Sequence, residues 1–134
     1  MDFHRIKKFL KHEHTLPDHE WKGAVLFLCN DTHVFFIKRS EFMPTHGGQV
    51  AFMGGHKKSG ESFPWEVACR EFVEESGLSV SDIEFIGHLP AIITANLQPI
   101  IPIVTRFKGT TDDFINNAKS NGEWDSVFAY SWAF

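Results

Sequence analysis

The stretch from Gly54 to Leu78, GGHKKSGESFPWEVACREFVEESGL, constrains this chain more tightly than any other. A glycine pair opens it, Pro64 suits the first position of a helix, and Gly77 suits a left-handed stop. At helical spacing Glu71, Glu74 and Glu75 fall within one arc, while Trp65, Ala68, Cys69 and Phe72 occupy the adjoining arc. The acidic face therefore borders the buried face. Three carboxylates at the lip of a core suit a hard divalent cation, which takes oxygen ligands. Spacing alone does not demand one. Like charges on a helix cost only about 0.2–0.5 kcal/mol per pair, and acidic faces are mostly solvated.

The order of residues is more specific than their spacing. Arg70 to Leu78, REFVEESGL, resembles the second half of the Nudix box, REUxEExGU, in which U is a bulky apolar residue. Such a run should arise by chance about once in ten million start positions. Gly55, five residues and then Glu61 match the first half, Gx5E. The box has seven residues between that glutamate and the arginine; here Ser62 to Cys69 makes eight. The extra residue is expected beside Phe63 and Pro64, shifting the start of the helix rather than its acidic face.

Length and composition are compatible with that resemblance. A chain of 134 residues predicts one domain, 1–134, in which residues 1–20 form an N-terminal helical extension. Thirteen basic against seventeen acidic residues leave no basic stripe for nucleic acid, so an anionic substrate would need cations to bridge it to an acidic site. Cys29 and Cys69 lack CxxC spacing and read as small buried hydrophobes. The first residues, MDFHRIKKFLKHEH, lack the apolar run of a signal peptide, and no stretch is long enough to span a membrane. A soluble, cytoplasmic protein is the expectation.

Taken in order, Phe3, Ile6, Phe9 and Leu10 predict a short amphipathic helix over residues 3–13, packed on the domain or a partner and ended by Pro17 and Asp18. Lys22–Cys29 and Val34–Lys38 read as a hairpin around Asn-Asp-Thr-His. Gln49–Met53 predicts a short strand, Pro64–Ser76 the central helix, and Glu84–Ile93 and Ile100–Phe107 two further strands. Pro99 and Pro102 should confine both to edge or bulged positions. Thr111–Ala118 suggests a second helix and Asp125–Trp132 a last strand. This pattern predicts an α/β or α+β fold; resemblance to the Nudix family implies an α/β/α sandwich with a mixed sheet.

What the resemblance implies about chemistry is hydrolysis of a nucleoside diphosphate linked to another moiety, by attack of water on phosphorus with Mg2+ or Mn2+. It implies Glu71 and Glu75 as principal metal ligands, Glu74 for a further ion and the carbonyl of Gly55 as a backbone ligand. Arg70 and Glu61 would orient the ligands. The general base is not set by the box. Glu123, in a loop before a late strand, is one candidate, and a glutamate of the box is the other.

Upstream, Phe36 to Ser40 and His46-Gly47-Gly48-Gln49-Val50-Ala51-Phe52-Met53-Gly54-Gly55 resemble the signature LLTxRS…HxGQVxFPGG of coenzyme A pyrophosphatases, with Met53 in place of proline. On that resemblance Arg39 would fork onto phosphate oxygens, with Ser40, His46 and Gln49 beside it in substrate binding. The products would be 3′,5′-ADP and a 4′-phosphopantetheine compound. Two alternatives stand beside this one: another substrate such as ADP-ribose or a nucleoside diphosphate sugar, and a non-catalytic module that senses nucleotides. The apolar ending AYSWAF, if exposed, would favour a homodimer.

Overall fold

Strand and helix chemistry place one mixed sheet between two apolar layers. The computed structural model describes residues 1–10 and 21–132. Along them run α1 (Phe3–Ile6), β1 (Gly23–Cys29), β2 (His33–Arg39), β3 (Val50–Ala51), β4 (Gly54–His56), α2 (Pro64–Ser76), β5 (Ile83–His88), β6 (Ile92–Ile93), β7 (Pro99–Phe107), α3 (Thr111–Asn117) and β8 (Trp124–Ser131). The strands form one sheet with the path β3-β2-β1-β7-β5, while β8 pairs with β2, β4 with β1 and β6 with β7. β1 and β7 run parallel; the other pairings are antiparallel. The expected α/β fold with a mixed sheet is present.

Alternation along the strands divides the core in two. Leu26, Phe35, Ile103 and Phe107 meet α2 and α3 through Phe72 and Phe114 on one face. Phe27, Val34, Phe36 and Val104 face the other way, where Met1, Phe3, Ile6 and Leu10 cover them. The N-terminal segment thus packs on its own domain. Its helix is shorter than expected: α1 gives way to a 3-10 turn at Lys7–Phe9, and the remainder of the predicted span, with Pro17 and Asp18, lies outside the described residues. The tighter turn rotates Phe9 out of the apolar stripe, leaving it 81% exposed.

The β1–β2 hairpin forms where Asn and Asp predict it. Asn30 Oδ1 accepts from the N–H of Thr32 at 3.0 Å and of His33 at 2.8 Å. The two strands then separate after the Cys29–Val34 pair. β3 and β4 occupy the gap, β3 pairing with β2 and β4 with β1. The predicted strand Gln49–Met53 is shorter than expected, Val50–Ala51, and a second short strand, not predicted, is built on the glycine pair itself. Glu84–Ile93 is broken, into β5 and β6, by Leu89, Pro90 and Ala91.

The expectation of edge or bulged positions holds for β5, which ends the sheet path and pairs with β7 through a register shift between Phe85 and Gly87; β7 itself is not at an edge and lies between β1 and the β5–β6 side of the sheet. Pro102 is accommodated because it falls where β5 has ended and β6 has not begun. Its carbonyl accepts from Leu89 N at 2.9 Å, so its ring nitrogen faces a position where no ladder donor is needed.

α2 starts and ends as its sequence predicts. Pro64 opens the helix after an extended Phe63, whose N–H donates to Glu66 Oε1 at 3.1 Å. Gly77 closes it at φ 71°, in the left-handed region, with its N–H on Val73 O. α3 is capped by Thr110, whose Oγ1 accepts from Asp113 N at 3.0 Å. At the end of the described chain, Trp132 is partly buried, stacks on Phe27 and donates from Nε1 to Asn30 O, while Tyr130 is 58% exposed. Among the described residues no helix is long and apolar enough to cross a membrane.

Candidate active site

The acidic face of α2 meets the sheet at β4. Glu75 is 2% exposed; its Oε2 accepts from Gly54 N at 2.9 Å, and its main-chain oxygen accepts from Trp124 Nε1 at 2.6 Å. Burial, reinforced by the charges of Glu71 and Glu123, pushes the Glu75 carboxyl up from 4.5 to about 8. Burial likewise raises Glu71, against the lowering effect of Arg70. In both the cost of burial outweighs the nearby positive charge, a condition a bound cation relieves.

Arg70 organises the rest of the cluster. Its Nε and Nη2 fork onto the two oxygens of Glu61 at 2.9 and 3.1 Å, and Nη2 also donates to His56 O at 2.9 Å. Nη1 donates to Glu71 at 2.7 Å and to Glu74 at 3.2 Å. That fork holds Glu61 below the usual carboxylate range and raises Arg70 in turn. The extra residue of the loop does not disturb this pairing. Ser62 and Phe63, between Glu61 and the helix, are exposed.

Glu71, Glu74 and Glu75 share an arc, but they do not share an environment. Glu74 is exposed and paired to Arg70 and to Lys58 Nζ at 3.5 Å. Among the described residues no three His, Cys, Asp or Glu side chains form a ready-made metal cluster. The donors do fit a divalent cation. Glu71 and Glu75 offer desolvated oxygens, and Gly55 makes the room: a Cβ there would lie 2.5 Å from Glu71 Oε1. Gly23, paired with His56 across the ladder, leaves room for the Gly55 carbonyl, which a Cβ at Gly23 would overlap.

Glu123 is brought near by its loop. Its carbonyl accepts from Ser40 N at 2.9 Å, and its charge acts on both Glu71 and Glu75. The upstream residues collect on the other side of the glycine pair. A cavity of about 270 Å³ is lined by Arg39, His46, Gln49, Phe52, Gly54 and Gly55, with Thr94 and Ile100 as a further wall. Arg39 Nη2 donates to Thr45 O at 3.3 Å, its Nε is buried without a partner, and its charge favours ionised Glu75. His46 has φ 57°, which sets the turn that returns Gln49 O to Arg39 N at 2.8 Å.

Ser40 does not join them. It is buried, its Oγ accepts from Phe42 N at 3.3 Å, and it joins the end of β2 to the Glu123 loop instead of lining the cavity. Sequence reasoning missed Trp124, His56 and Thr94. Each enters through a contact between segments far apart in the chain, and no local spacing announces such a contact.

A mixed sheet carrying an acidic helix against a glycine-built strand defines the class, an α/β fold with a cation-ready carboxylate site. The NUDIX domain model matches residues 20–127, and the chain belongs to that family. Nudix hydrolase 15, mitochondrial, of Arabidopsis thaliana is 27% identical over 113 residues, 80% of this chain and 39% of that protein. Nudix hydrolase 3 of Caenorhabditis elegans is 36% identical over 76 residues, 54% of this chain and 31% of that protein. The chain thus spans about a third of the length of these relatives. Among solved structures, a C. elegans Ap4A hydrolase binary complex superposes with a TM-score of 0.63 at 16% identity, covering 81% of this chain and 78% of that one. At that identity the likeness is one of fold.

Proposed function

We propose that this chain is a divalent-metal-dependent hydrolase of a nucleoside diphosphate linked to another moiety, with coenzyme A or its derivatives as substrate. The observation that carries the reading is the buried Glu75 and the partly buried Glu71 set against Gly54 and Gly55, with Glu75 given no cationic side chain as a direct partner among the described residues. Metal use is a property of Nudix hydrolases generally. A divalent cation, Mg2+ or Mn2+, would neutralise diphosphate oxygens and make water more acidic. Glu71, Glu75 and the Gly55 carbonyl would hold it, and Glu74 would take a further ion once released from Lys58.

The remaining residues bind, orient or accept a proton. Arg70, fixed by Glu61, keeps Glu71 directed at β4. Arg39 lines the cavity beside the glycine pair, where it would meet phosphate oxygens with His46 and Gln49. Glu123 would take the proton of the attacking water; the reading is supported by its charge acting on Glu71 and Glu75.

The test is product analysis by mass spectrometry on coenzyme A, ADP-ribose and UDP-glucose with Mg2+ or Mn2+, beside Glu75→Gln. The expected result is 3′,5′-ADP from coenzyme A with wild type and a loss of at least a hundredfold in the variant. A tenfold preference for either other compound would reject the coenzyme A assignment and keep the metal site. Cleavage of none would reject the hydrolase reading.

A further inference from the structure

From Leu89 to Thr105 the chain carries no charged side chain, although 22% of its residues are charged. One end of that run is β7, most of which is buried in the core. The other end is the β6–β7 hairpin, which is exposed. Ile93 is 61% exposed and Leu97 79%, with Leu89, Pro90, Ala91 and Ile92 exposed beside them. Ile92 and Ile93 are consecutive in a strand and so point to opposite faces. Water therefore meets apolar side chains on both sides of the hairpin. Its tip carries a further cost, because Leu97 has φ 58°, in the left-handed region that a side chain of this size enters unfavourably.

The turn spends its polar groups largely on itself. The N–H of Thr94 donates to Gln98 O at 3.1 Å and that of Leu97 to Thr94 O at 2.9 Å. The N–H of Gln98 donates to Thr94 Oγ1 at 3.1 Å, and Gln98 Nε2 to Asn96 O at 3.3 Å. A hairpin closed on itself in this way leaves water at little cost. From Pro99 to Asn96 it reaches roughly 10 Å, at about 3.3 Å per residue, which is the depth to which surface-bound segments sink into a bilayer. Hydrogen bonds tie two lysines to its base. The N–H of Lys22 donates to Pro99 O at 2.7 Å, and that of Lys57 to Lys22 O at 2.8 Å. Lys22 is exposed, and Lys57 holds its Nζ 4.3 Å from the ring centre of buried Trp21.

We propose that the β6–β7 hairpin docks on the surface of an anionic lipid bilayer, with Ile92, Ile93 and Leu97 entering the acyl boundary and Lys22 and Lys57 meeting the headgroups. Two features favour a bilayer over a second copy of this chain. A two-fold interface covers one face of a hairpin, and here both faces are apolar. Two copies joined through their hairpins would also bring like-charged lysines towards one another, whereas anionic headgroups complement them. The proposal goes beyond the hydrolase reading and stands without it. Each lysine near an anionic surface is worth about fivefold in affinity, and a leucine taken fully from water about tenfold or more.

The experiment measures sedimentation of the intact chain with sucrose-loaded vesicles, of phosphatidylcholine alone or with about 30% phosphatidylserine, at low salt. Wild type should partition onto the phosphatidylserine vesicles at least ~10-fold more strongly than onto the neutral ones. Leu97→Asn should weaken that binding about tenfold, and Lys22→Glu should remove most of the preference for phosphatidylserine. Leu97→Asn should melt no lower than wild type, since Asn enters the left-handed region more readily than Leu, so its lost binding cannot be ascribed to unfolding. Val80→Ser, before the far end of β5, should bind as wild type. Binding to neither vesicle overturns the proposal, as does binding that Leu97→Asn leaves unchanged. Equal partition onto both vesicles overturns the part given to the lysines. A wild-type dimer that Leu97→Asn dissociates, with no vesicle binding by either protein, overturns the proposal and gives the hairpin to a second copy.

Discussion

Gly55→Ala is the sharpest perturbation of the site, because the structure fixes what the added methyl meets. A Cβ there would lie 2.5 Å from Glu71 Oε1 and 2.8 Å from its carboxyl carbon, against an ordinary contact of 3.4 Å or more. Glu71 would have to retreat by nearly an ångström. Its Oε1 is held at 2.7 Å by Arg70, which is itself locked by the Glu61 fork. The carboxylate cannot yield without stretching that ion pair. Overpacking of this kind costs about 1–3 kcal/mol. For a domain of this size the melting temperature should fall by roughly 4–10 °C. The functional effect should be larger, since the displaced oxygen belongs to a proposed ligand: Mn2+ affinity should drop at least tenfold. Thermal melts in EDTA and Mn2+ titration followed by electron paramagnetic resonance read the two effects separately. Unchanged Mn2+ affinity in a folded Gly55→Ala protein would refute the reasoning, since it would mean that cations bind without the Glu71–Gly55 contact.

Two further outcomes follow from burial of titratable groups. Glu75 has its folded pKa raised to about 8 from an ordinary 4.5, so in metal-free protein its ionisation penalises the fold progressively between those values, and protonation removes the penalty. Glu75→Gln should therefore match wild type near pH 4.5 in EDTA and exceed it by roughly 2–3 kcal/mol at pH 7.5; urea melts at both pH values check this, and a gain that does not grow with pH would contradict it. Burial pushes the thiols of Cys29 to about 12 and Cys69 to about 11. At pH 8 both should resist Ellman's reagent in the native state and react in urea; rapid labelling of folded protein would show that neither site is enclosed as described.

The fold was legible wherever a local rule decides it. Pro64 and Gly77 bound α2 because helix ends are set by residues within one turn. The hairpin at Asn30 was legible for the same reason. Pro102 was misread because the proline rule concerns the neighbour strand, and the sequence does not say that β5 and β6 leave a gap beside it. Phe9 was misread because a 3-10 turn breaks the helical period that put it among Phe3, Ile6 and Leu10.

The site divides along a similar line. Spacing on one helix put Glu71, Glu74 and Glu75 on one arc, and that arc exists. It did not reveal that an arc at the lip of a core is a gradient. Glu75 lies deepest and is met by a strand N–H, Glu71 is shared between Arg70 and β4, and Glu74 remains in water between two cations. Gly54 and Gly55 carry no side chains on the strand that meets α2, so Glu75 reaches the N–H of Gly54 and Glu71 packs where a Cβ of Gly55 would lie. The glycines thus do more than permit a turn. They set the depth of the carboxylates, and depth is what separates a carboxylate that needs a cation from one that water already satisfies. Arg39 acts on Glu75 from the other side, so a ligand in the cavity and a cation on the helix would feel each other across one glycine strand.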